Sequence, residues 1–106
     1  MKVIWTENAK NNLIDYQQNS SITTEGKIGK YINSLIDYVN SLSDFQELGK
    51  FLFNKKGFQF RILIYRSHRI FYAIHNNITY ILVISHINRN FDTIIKYLKK
   101  DFEDMI

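Results

Sequence analysis

Residues 59–87 read QFRILIYRSHRIFYAIHNNITYILVISHI, and this stretch decides the fold. Phe60, Ile62 and Ile64 alternate with Arg61, Leu63 and Tyr65, the period-two pattern of a strand. Ile70, Tyr72 and Ile74 alternate in the same way with Arg69, Phe71, Ala73 and His75. Ile78 to Ile87 is almost continuously apolar, as a central strand with both faces covered would be. The joints are short: Arg66-Ser67-His68 and Asn76-Asn77. Asparagine tolerates positive φ, so the Asn pair suits a two-residue hairpin turn. Three strands joined this tightly form an antiparallel meander.

Upstream of the meander, Gly49 and Gly57 bracket an aromatic and basic stretch that reads as a loop or an edge segment. Before it, Ile28, Ile32, Leu35, Val39 and Leu42 recur at helical steps, with Ile36 widening the stripe. Thr24 and Glu25 supply the start signals of that helix. Lys2 to Trp5 reads as a short strand, and Thr6 caps a first helix over about 7–18 marked by Ala9, Leu13 and Tyr16. Gln17 to Thr23 reads as the loop between the helices. Downstream, Asn90 caps a closing helix carrying Phe91, Ile94, Ile95, Leu98 and Phe102. The expected order is β-α-α-β-β-β-α. That makes residues 1–106 a single α+β domain, an antiparallel sheet with a helical pair on one face and a C-terminal helix, all helices sharing that face.

A chain of 106 residues without cysteine has no disulfide framework, thiolate metal site or thiol nucleophile. Neither a leader sequence nor a membrane span is legible, so a cytoplasmic, soluble protein is expected. The formal charge of +4 is unevenly spread. Residues 1–47 carry −2, residues 48–91 carry +7 with no acidic residue, and residues 92–106 carry −1. Every arginine and histidine lies in the middle block. A positive field confined to one stretch suits a phosphate-bearing or acidic partner. The same cations also suit a sheet edge, where they deter unwanted pairing.

The acid-free block argues against two-metal nuclease chemistry and carboxylate-based glycoside chemistry, and no cofactor or metal is expected. His86 ends the apolar strand three residues before Arg89, where side chains project into a shared mouth. Arg69, Arg61, Tyr65 and Tyr72 join it if the register permits. Such a set fits metal-free RNA cleavage by the 2′-hydroxyl, which needs a proton acceptor, a proton donor and cations on the phosphorane. Alternatively, Arg89 pairs locally and His86 is a satisfied strand-end residue. His75 and His68, in the hairpin turns, read as solvent-facing.

The stretch from Arg61 to Tyr72 resembles the Arg-x-Leu…Tyr-Arg-Ile-x-Tyr segment of RelE/ParE family toxins from bacterial type II toxin–antitoxin modules. Ile84 to Asp92 is similar to the strand-end His-x-x-Arg segment of that family, and Lys2 to Ala9 to its start. Leu48-Gly49 sits where the family often has a glycine after the helix pair. The resemblance implies a growth-inhibiting toxin neutralised by a cognate antitoxin. RelE-like members cleave messenger RNA on the ribosome, and ParE-like members poison DNA gyrase without nuclease activity. Whether the chain is an enzyme therefore stays open.

By resemblance, Arg69 and Arg89 match the arginines that RelE-like toxins place on phosphate, with His86 and Arg61 as the further site candidates. The lysines such enzymes carry on the preceding strand are missing here, and the closing segment offers only Tyr97 for their C-terminal Tyr or His. The strand motif leans toward the ParE side. The expected antitoxin presents an acidic amphipathic segment to the basic block. A third possibility is a non-catalytic family member acting as an RNA- or protein-binding module.

Overall fold

Alternating apolar residues need a layer on each side, and the computed structural model, which describes residues 1–19 and 27–106, supplies both. In chain order the elements are β1 (Lys2–Trp5), α1 (Glu7–Asn19), α2 (Lys27–Asn40), β2 (Lys50–Lys55), β3 (Phe58–Tyr65), β4 (His68–His75), β5 (Ile78–His86) and α3 (Phe91–Asp101). Short 3₁₀ turns at Ser41–Ser43 and Phe102–Met105 follow α2 and α3. The five strands form one sheet in the order β1-β5-β4-β3-β2.

The meander is present as expected, and Asn76 and Asn77 turn with φ of 50° and 63°. Lys56 and Gly57 make an equivalent turn with φ of 52° and 83°, so Lys50–Lys55 is an edge strand rather than a loop. Strand β1 departs from the antiparallel pattern. It pairs parallel to β5, Lys2 opposite Ile78 and Trp5 opposite Ile81. A parallel partner needs a long crossover, which α1, α2 and the meander together provide.

The helices do not share one face, which corrects the expectation from sequence. Leu35, Val39, Leu42, Ala9, Leu63, Ile70, Tyr72 and Ile81 form a core beneath α1 and α2. Phe60, Ile62, Phe71, Ala73, Leu82 and Val83 form a second core, closed by Leu98 and Phe102 from the C-terminal helical segment. The physical reason lies in the strands. Both sets of alternating positions are apolar, and one helical pair covers only one set. Phe71 faces Val83 while Tyr72 faces Ile81, so Leu82 is an extra residue in β5 and joins Val83 on the α3 side.

Local signals hold at the starts of α1 and α3. The Thr6 hydroxyl accepts from Ala9 N at 3.2 Å, and Asn90 Oδ1 accepts from Thr93 N at 2.9 Å. Helix α1 runs to Asn19, one residue past the expected end, so Gln17, Gln18 and Asn19 belong to the helix and not to the loop. The Thr24–Glu25 start signal and residues 20–23 of the expected loop lie outside the described residues.

Candidate functional site

Strand β1 ends at Trp5, opposite Ile81, which leaves the outer edge of β5 without a strand from Leu82 onward. Exposed ladder groups need partners, and α1 supplies them from side chains. Asn8 Nδ2 donates to Leu82 O at 2.9 Å, and Asn12 Oδ1 accepts from Ile84 N at 2.9 Å. Beyond these two asparagines the gap opens into a cleft of about 490 Å³. Asn12, Asp15, Tyr16 and Asn19 form its α1 wall, and Asn90, Thr93 and Ile94 form the wall at the start of α3. Val83 to His86 and His68 form the floor, and Arg89 lies at the rim.

His86 and Arg89 are therefore brought together, as their spacing suggested. The His86 carbonyl accepts from Arg89 N at 3.0 Å, and His86 Nδ1 accepts from Asn88 N at 3.1 Å. The neutral imidazole then carries its proton on Nε2, since Nδ1 is the acceptor. His68 pairs with His86 across the β4–β5 ladder, and their rings stand 5.4 Å apart, edge to face.

His68 is not solvent-facing, which corrects the sequence reading: it is 2% exposed. Its Nδ1 lies 2.7 Å from the Tyr31 hydroxyl, and the Tyr16 ring meets it edge-on at 4.6 Å. Burial holds its pKa below the usual histidine value, and the neighbouring His86 adds to that effect. Burial raises the Tyr16 phenol, with Tyr31 contributing, so Tyr16 stays a neutral hydroxyl at pH 7. The signal for His68 was present in the alternation, because it is in phase with Ile70 and Tyr72, which face the helical pair. His75 is half-buried, stacked on Phe58 with its Nδ1 3.0 Å from Gly57 O.

The remaining candidates lie elsewhere. Arg69 pairs with Ser85, one step from the His68–His86 pair, so its side chain leaves from the opposite face. There its guanidinium lies 5.5 Å from the Phe91 ring centre, and Nη1 donates to Arg89 O at 3.2 Å. Arg61 is further removed. Its Nη1 donates to Gly49 O at 2.6 Å and Glu47 O at 3.2 Å, and its Nε to Gln59 Oε1 at 2.6 Å. With 14% of its side chain exposed, Arg61 braces the segment before β2 and is outside the cleft. Tyr65 lies under the helical pair, and the buried Tyr72 hydroxyl donates to Gln46 O at 2.7 Å.

Among the described residues, no three histidines or carboxylates come together as a metal-binding set, and no helix is long and apolar enough to cross a membrane. What the cleft offers is neutral hydrogen-bonding groups, the imidazoles of His68 and His86, the Asp15 carboxylate and one guanidinium, that of Arg89. No curated protein matches the chain. Residues 3–91, which take in β1 from Val3, strands β2 to β5, both helices of the pair and the cleft residues His86 and Arg89, match the family described as the ParE toxin of the type II toxin–antitoxin system parDE. With the matched span reaching from β1 to the first residue of α3, the chain belongs to the ParE toxin family and is the toxin type of a type II toxin–antitoxin module.

Proposed function

We propose that the chain arrests bacterial growth in the cytoplasm by poisoning DNA gyrase, and that a cognate antitoxin with an acidic amphipathic segment neutralises it. The observation that carries this reading is the dispersal of the cations named for phosphate chemistry. Arg69 and His86 issue from opposite faces of the sheet, and Arg61 is held by backbone carbonyls. Phosphoryl transfer needs acid, base and cation around one phosphorus atom, so such dispersal favours a binding surface over a nuclease. Arg69, Arg89 and the start of α3 then form part of the surface that engages the target.

The test is a gyrase supercoiling assay run beside a translation-coupled RNA cleavage assay. The expected result is inhibited supercoiling with accumulation of cleaved DNA, and intact ribosome-bound transcripts. Unimpaired supercoiling with cut transcripts would replace this reading with the ribonuclease one. That second reading draws on one observation, the presence of His86 and Arg89 in a single cleft with Tyr16. In it His86 serves as acid or base, and Arg89 steadies the charge on phosphate.

A further inference from the structure

Strand β2 is the outermost strand of the sheet next to β3, and its other side has no strand partner among the described residues. Side chains alternate across that edge. Lys50 and Lys55 lie opposite Ile62 and Phe58, on the face that carries α3. Phe51 lies opposite Arg61, on the face of the helical pair. The Lys55 ammonium lies 6.0 Å from the Phe102 ring centre and that of Lys99 5.1 Å from Phe53, so the α3 side of the edge carries three cations. Lys56 is satisfied by Glu103, whereas Lys50, Lys55 and Lys99 have no acidic partner among the described residues. On the other face Phe51 is 45% exposed, with the Arg61 guanidinium 5.9 Å from its ring. In the segment leading into the strand, turned by a hydrogen bond from Leu48 N to Phe45 O, Phe45 and Leu48 are 63% and 46% exposed.

We propose that β2 receives an added strand from the antitoxin, an extended segment with carboxylates on one side and apolar residues on the other. The proposal rests on the chain being the toxin of its module, and it names the form in which the acidic segment binds. Main-chain hydrogen bonds to an open edge give affinity, and alternate side chains give specificity. Cross-strand neighbours share a face, so carboxylates meet Lys50 and Lys55 while apolar residues extend the patch at Phe51. The same charges disfavour a second copy of this chain as the occupant. Two β2 edges in antiparallel pairing set lysine near lysine, and like charges across a ladder repel.

The probe is a synthetic peptide of alternating glutamate and valine, with alternating lysine and valine as its control. Hydrogen–deuterium exchange of the intact protein reads the result. The acidic peptide should slow exchange in residues 50–55, and the basic control should not. A Lys50→Glu/Lys55→Glu variant should bind the acidic peptide about tenfold more weakly, as loss of two charge pairs requires, with exchange elsewhere unchanged as the check that it folds. A Phe51→Ser variant should also bind more weakly, with the same check. Unprotected β2 amides, or equal protection by both peptides, would overturn the proposal. Protection of β2 that rises with protein concentration and no peptide would overturn it in favour of self-pairing. Growth arrest on expression reports the toxin reading separately, so a toxic protein with an unresponsive β2 refutes the added strand alone.

Discussion

His68 shows how one buried ring ties the helical pair to the sheet. It touches Tyr31 from α2 and Tyr16 from α1, and it pairs with His86 across the ladder. Its folded pKa is lowered, mainly by burial. The unfolded chain therefore binds a proton more readily, and the contribution of His68 to stability is complete above its unperturbed value of 6.5. It is lost as pH falls from there through the folded pKa. Thermal unfolding followed from pH 8 to pH 5 should show this decline, and His68→Gln should flatten it. A Tyr31→Phe variant removes the hydroxyl that meets Nδ1 and should cost about 1 kcal/mol in denaturant unfolding at pH 7. Arg89 is the contrasting case, exposed at the cleft rim. Arg89→Ala should abolish growth arrest while leaving the unfolding midpoint within about 0.5 kcal/mol of the parent. A folded Arg89→Ala protein that still arrests growth would remove that residue from the site.

At the scale of elements, the passage from α2 into β2 depends on one missing side chain. A Cβ on Gly49 would lie 2.6 Å from Ile62 O and 2.8 Å from the Tyr72 ring, while Gly49 N donates to the Tyr72 hydroxyl at 2.9 Å. Backbone and a buried ring leave little room to yield, so Gly49→Ala should destabilise by about 1–3 kcal/mol, measured as a shift in urea midpoint. The Leu48-Gly49 pair was legible in sequence as a break after the helices, and so were the meander, the Asn76-Asn77 turn and the Thr6 and Asn90 caps. These are local signals, carried by residues within a few positions of one another. Three features were not local. The parallel seat of β1, the separation of α3 from the helical pair and the filling of the β5 edge by Asn8 and Asn12 join residues more than seventy positions apart or on different layers. The site divides in the same way. That His86 and Arg89 share one cleft was legible from their spacing, whereas Arg61 faces the helical pair and Arg69 the α3 side, an outcome set by register and strand alternation.

For the whole molecule, the +7 of residues 48–91 is a property of the sheet, and its acids are supplied by the flanking segments that fold over both faces. The sequence block is thus basic in one dimension but divided in three. Glu103 takes Lys56, Glu47 approaches Arg61 at 4.0 Å, and Asp15 lines the cleft shared with Arg89. A nucleic-acid strand needs a continuous run of cations at phosphate spacing, and each neutralised phosphate of a single strand steepens the salt dependence of binding by about 0.7 unit. With cations split between two faces and partly paired, the free protein should engage no more than about two phosphates. A log–log plot of affinity for single-stranded RNA against salt should then have a slope no steeper than about −1.4, read by fluorescence anisotropy. The added β2 strand predicts a complementary effect: affinity for the acidic peptide should also fall with salt, because Lys50 and Lys55 are rim charges open to screening. A steep RNA slope combined with salt-insensitive peptide binding would reverse both assignments, making the sheet a nucleic-acid surface and its edge an apolar one.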